Sequence, residues 1–182
     1  MDWSIKIATV KGIEIKVHLT FLFIILWAAV EGGTGTGGGL RGAIFGIVSI
    51  TLLFLCVVLH ELGHSFQALR YRVKVRNITL LPIGGVARME TIPEKPSQEL
   101  AISLAGPAVN FAIAGLLAPL ALWILVTQIA AYLDQPAYLL SDTGQRVLSW
   151  ILDSLFYGTD WKALVFYLLS MNVSLGTFNL IP

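Results

Sequence analysis

The sequence predicts an all-α polytopic membrane protein, with about four transmembrane helices and a small β-hairpin or sheet between the second and third. Three observations predict it. Hydrophobic residues make up 56% of the 182 residues and charged residues only 13%, where about 25% charged is usual for a soluble domain. The apolar residues are gathered into four runs, and a helical span needs about 20 of them. Basic residues are distributed unevenly around those runs, as membrane topology demands. Too few charges remain to cover a globular surface in water.

The start of the chain, Met1 to Lys16, is polar and alternating, so no cleavable signal peptide is expected. The first apolar run, Val17 to Val30, is short for a span, and tilt or local thinning of the bilayer would accommodate it. Glu31 to Gly39 is glycine-rich and reads as a flexible loop. The second run, Gly42 to Leu69, carries no charge until Glu61. Val73 to Pro93 then mixes β-formers with a turn at Pro82, Gly84 and Gly85, which predicts the hairpin. Ser97 is a candidate N-cap for the third helix, with Glu99 in its first turn. The third run, Leu100 to Leu133, and the fourth, Ala163 to Pro182, are uncharged. The single cysteine, Cys56, forms no internal disulfide and reads as a small buried hydrophobe.

With four crossings and a cytoplasmic N-terminus, Lys6, Lys11, Lys16, Arg70, Arg72, Lys74, Arg76, Arg88 and Lys95 lie inside. Arg41, Arg146 and Lys162 lie outside, a clear positive-inside bias. A formal net charge of +1 implies no polyanionic partner, so no nucleic acid. Residues 1–182 read as a single membrane-embedded core in contact with the lipid bilayer.

One constellation carries chemistry. His60, Glu61, Leu62, Gly63 and His64 form an H-E-x-x-H segment. On a helix the two histidines lie one turn apart on one face and reach one zinc ion. Glu61 lies about 100° around the helix from His60, where it reaches a water on the metal rather than the metal. Ionisable groups within an apolar span are costly and mark function. His60 lies about 15 Å along the helix from Arg70, and Asn110 about 15 Å from Leu100. Asn179 lies about 24 Å from Ala163, which brings all three to a similar depth on the cytoplasmic side. Asn110 also fits an interhelical hydrogen bond, and Gly106 fits close packing with Ala105, Ala108 and Ala112. Asn172 reads as a helix-joining amide.

A catalytic zinc normally has three protein ligands and a water. His18, at the start of the first run, can in principle reach inward, or it anchors at the interface. Glu90, Glu94 and Glu99 read as solvated, and Asp153 and Asp160 fall on the far side. The residues alone leave the third ligand open.

The chain resembles the site-2 protease family of intramembrane zinc metalloproteases, in its archaeal and bacterial form without an inserted PDZ domain. The likeness is carried by His60-Glu61-Leu62-Gly63-His64, Leu81-Pro82-Ile83-Gly84-Gly85-Val86-Ala87, Gly106-Pro107 with Asn110, and Phe178-Asn179-Leu180-Ile181-Pro182. The resemblance implies one Zn2+ per chain, held by His60, His64 and an Asp of an Asp-Gly pair following the N-x-x-P segment, just beyond Pro182. It therefore implies a core incomplete at its C-terminus, with a possible C-terminal regulatory domain outside it. It further implies Glu61 as the catalytic base, and substrate contacts at Asn110, Asn179, Gly84, Gly85 and Val86. The expected activity is endoproteolysis of transmembrane protein substrates near the cytoplasmic side, in the plasma membrane of a prokaryote. A catalytically inactive, metal-binding membrane regulator is the alternative. A transporter using the same three residues as a relay is a third, for which the sequence shows no internal repeat.

Overall fold

The computed structural model describes residues 3–35, 38–90, 93, 95–133, 149, 153 and 158–181. Glu94, Pro182 and nearly all of the anticipated outer loop lie outside these residues. Four helices dominate: α1 (Phe21–Thr34), α2 (Gly39–Arg70), α3 (Pro96–Leu133) and α4 (Trp161–Phe178). Of these, α2 and α3 are long and apolar enough to cross a membrane, whereas α1 has 14 residues. Large apolar side chains such as Phe23, Leu40 and Leu116 point outward, more than 70% exposed. That surface suits lipid rather than water.

The sheet is larger than expected. Ser4–Val10 (β1) and Ile13–His18 (β2) form a hairpin, and Val75–Leu81 (β3) and Gly84–Met89 (β4) form another. They join into one four-stranded sheet in the order β1-β2-β3-β4. The junction is parallel, with Glu14 opposite Asn77 and Val17 opposite Leu80. A parallel pair needs a crossover, and here α1 and α2 supply it. Val17 and His18 therefore belong to a strand, not to the first span.

One face of this sheet closes the Arg70 end of α2. Ile13, Ile15, Val75, Ile78 and Leu80 are buried against Leu62, Ala68 and Val58 of the helix. The chain turns into β3 through a left-handed residue, Arg72, at φ 63. The Arg72 amide donates to the Leu69 carbonyl, and the Val73 amide to that of Ala68. This pattern satisfies the last carbonyls of α2. On the opposite face of β2, Glu14 accepts from Lys6 and Lys16. The hydrogen bonds from these ammonium groups hold its carboxyl below the usual range.

The helices pack by backbone approach. A side chain on Gly46 would strike the Ala28 carbonyl of α1, and one on Gly32 would strike that of Gly42. Small residues let helices approach this closely where lipid gives no hydrophobic drive to associate. Helix α3 starts at Pro96 rather than at a Ser97 cap: the Glu99 and Gln98 amides donate to the Lys95 carbonyl. Proline suits the first helical position because its missing N–H has no partner there anyway. At α4, Asp160 accepts from the Lys162 and Ala163 amides, each at 3.0 Å.

Candidate metal centre and active site

Helix α2 delivers His60, Glu61 and His64 from one stretch, and α3 positions the two imidazoles. The His60 Nδ1 donates to the Asn110 Oδ1 at 2.9 Å. The His64 Nδ1 donates to the Ile102 carbonyl at 2.7 Å. Both partners only accept, so both Nδ1 atoms carry the proton and both Nε2 atoms present a lone pair. Those two Nε2 atoms face each other at 3.0 Å, with the rings at 81°. Two lone pairs meeting in a buried site repel unless a cation lies between them. Neutral imidazoles locked through their other nitrogen are the usual zinc donors. This donor chemistry fits zinc. Among the described residues no group of three or more His, Cys, Asp or Glu could hold a metal, so a third ligand is not among them.

Two glycines shape the surroundings. A Cβ on Gly106 would fall onto the His64 imidazole. One on Gly85 would lie 2.7 Å from the Glu61 Cγ. The helix α3 and the strand β4 thus lie against the motif at distances only glycine permits. Beside the histidines is a cavity of about 160 Å³ walled by Val57, His60, Glu61, Ile83, Gly84, Gly85, Leu175 and Asn179.

The anticipated residues therefore divide. Glu61, Gly84, Gly85 and Asn179 line this cavity with His60. Val86 does not, and its side chain is 52% exposed. Asn110 is wholly buried, and its amide sits behind the His60 ring rather than in the cavity wall. The His18 ring is engaged locally with the Thr20 hydroxyl at 2.8 Å. Glu90 lies by a separate cavity with Lys74 and Arg76. Asn172 donates to the Leu168 carbonyl and to the buried Cys56 sulfur of α2. Sequence reasoning missed Ile102, whose carbonyl orients His64. A backbone acceptor leaves no residue-type signal to find.

Comparison with known proteins agrees with this geometry. A zinc metalloprotease of Methanocaldococcus jannaschii is 47% identical over 113 residues, covering 62% of this chain and 31% of that protein. A protein of Synechocystis sp. that carries the words zinc metalloprotease in its name is 30% identical over 188 residues. That match covers 100% of this chain and 41% of the relative. The chain thus spans well under half the length of these curated relatives. The solved structure of a site-2 protease from Methanocaldococcus jannaschii superimposes with a TM-score of 0.62 at 34% identity, covering 99% of this chain and 65% of that one. The family profile described as Peptidase family M50 matches residues 48–182, and the chain belongs to that family, which includes the site-2 proteases.

Proposed function

We propose that this chain is the catalytic core of a zinc-dependent endopeptidase that cuts transmembrane protein substrates within the bilayer, near its cytoplasmic side. The observation that carries the reading is the pair of Nε2 atoms 3.0 Å apart, beside a cavity that Glu61 shares with strand β4 and Asn179. One Zn2+ per chain would be held by His60, His64 and a ligand outside the described residues. When bound, zinc polarises a carbonyl and acidifies a water.

The chain's own residues supply the rest. The Glu61 carboxylate takes a proton from water and returns it to the amine nitrogen as the peptide bond breaks. The amides of β4 recruit substrate. This strand ends the sheet order, and an unpaired edge takes an extended peptide as one more strand. Gly84 and Gly85 let that peptide run close to Glu61, and Asn179 orients it from the C-terminal cap of α4. Asn110 acts through His60 as a positioning residue, which is the part its burial suits. The protein would be multi-pass in a prokaryotic plasma membrane, with its N-terminus cytoplasmic.

The test is Glu61→Gln in the complete protein, with a single-span membrane substrate in the same vesicles. Cleavage should fall by about 10²- to 10⁴-fold, the usual contribution of a general base, while bound zinc is retained. Cleavage at the parent rate would overturn the assignment. Zinc retention with no cleavage by the parent protein itself would favour the non-catalytic regulator.

A further inference from the structure

We propose that the groove between the Arg70 end of α2 and the first half of α3, roofed by the β1–β2 turn, binds an anionic phospholipid. The groove has a volume of about 590 Å³. Its walls are apolar, from Phe66 on α2 and Ala105, Ala108 and Val109 on α3, and its charged groups are Lys11 and Arg70. Among the described residues no acidic side chain lines it. Among the described residues the ion pairs are Lys6 and Lys16 with Glu14, so neither groove cation is paired with any of them. The adjacent cavity makes the contrast. It shares Lys11 and adds Lys74 and Arg76, but Glu14 and Glu90 line it too, so an anion there meets carboxylate repulsion.

The hairpin turn places one of the two cations. Lys11 is held in the left-handed region at φ 48, followed by Gly12 at φ 84, as a two-residue turn between β1 and β2 requires of both residues. Its ammonium sits 4.8 Å above the centre of the Phe66 ring, which fixes it over the groove mouth while leaving N–H donors free. Phe66 to Arg70 is one turn of α2, so both cations stand at the same end, where the helix leaves the apolar layer. A general excess of basic residues on one side of a membrane accounts for the charges alone. It does not account for an apolar groove running beneath them.

The headgroup phosphate would meet Lys11 and Arg70, and the first acyl carbons would lie along Phe66, Ala105 and Ala108. Each basic group near an anionic lipid contributes about fivefold in affinity. The groove backs on Gly63, whose missing side chain lets the Ala105 carbonyl of α3 approach α2. A lipid seated there would brace the same helix crossing that holds the two imidazoles. The inference needs only the membrane placement of α2 and α3, and its readout is lipid binding, so it stands or falls apart from the proteolytic reading.

The experiment titrates the complete, delipidated protein in detergent with phosphatidylglycerol or phosphatidylcholine. Retained lipid is counted by native mass spectrometry, and thermal stability is measured alongside. Phosphatidylglycerol should be retained in preference and should raise the melting temperature. The double variant Lys11→Gly, Arg70→Gln should weaken retention about thirtyfold. Glycine relaxes the turn, so its lipid-free melting temperature should not fall. Ala108→Trp should block retention with both charges in place. Equal retention of phosphatidylcholine, undiminished retention by the double variant, or displacement by inorganic phosphate alone would each overturn the proposal.

Discussion

Replacing Asn110 by Leu removes the hydrogen-bond acceptor behind His60, together with an amide Nδ2 that is buried without a partner among the described residues. The bond lost is 2.9 Å long, between a wholly buried amide and a histidine 5% exposed. Water cannot take its place at such burial, so the His60 Nδ1–H is orphaned. An unsatisfied buried donor costs about 1–3 kcal/mol. The ring can escape that cost by moving its proton to Nε2 or by turning. Either change spoils the lone pair that faces His64, and metal must restore it at its own expense. Outer partners of metal-bound histidines are worth about 10- to 100-fold in affinity, and the orphan cost falls in the same range. Zinc affinity of the Leu variant should therefore drop by about 10- to 100-fold, read by competition with a chromophoric chelator on the complete protein. Asn110→Asp returns an acceptor to the same atom position and should recover most of the loss. A merely structural asparagine would show a lowered melting temperature in both variants and no recovery by Asp. Unchanged zinc affinity in a folded Leu variant would refute the assignment of the His60 tautomer.

Two further substitutions probe backbone approach. Gly85→Ala places a Cβ 2.7 Å from the Glu61 Cγ, so the glutamate must shift while His60 and His64 keep their partners. Proteolysis should fall by at least about tenfold, given that small misplacements of catalytic groups are costly, and zinc content should stay constant. Gly46→Leu drives a side chain into the Ala28 carbonyl and separates α1 from α2. Overpacking of this kind costs about 1–3 kcal/mol, so the melting temperature in detergent should drop. Zinc affinity, which depends on α2 and α3, should not.

Much of the site was legible because chemistry fixed residue types at fixed spacing. His60 and His64 lie four apart, and only a helix turns that spacing into shared direction. Depth along each helix brought Asn110 level with His60, but depth says nothing of which way an amide points. The structure turns it to the ring. The sheet was legible only in half. Val75–Leu81 and Gly84–Met89 announce themselves by β-formers flanking a glycine turn. Ser4–Val10 also alternates, yet its lysine and threonine made it look merely polar. Its hairpin joins β3 from the far side of two helices, and a parallel pairing across that distance leaves no local mark. The glycines carry the same lesson. Gly85 and Gly106 matter for what approaches them, Glu61 and His64, and a sequence does not record approach.

The way Glu61 is enclosed constrains what can be cut. In an intact helix each carbonyl is sheathed by side chains and already hydrogen-bonded to the amide four residues on. The cavity that Glu61 shares with β4 is walled by backbone at Gly84 and Gly85, which cannot retreat as a long side chain would. A substrate helix must therefore unwind before its carbonyl meets Glu61, and unwinding enters the barrier. Each Ala→Gly change in a helix weakens it by about 1 kcal/mol, or about fivefold in rate if the opened form is what is cut. Two glycines flanking the scissile bond of a single-span substrate should then speed cleavage by about 25-fold over the alanine version. The comparison should be made below saturation, where the opening equilibrium is expressed. The same glycines placed three turns away should have no effect, which separates local opening from general loosening of the span. Equal rates for the flanking-glycine and alanine substrates would mean that the enzyme accepts an intact helix, which addition of the substrate to β4 as an extended strand forbids.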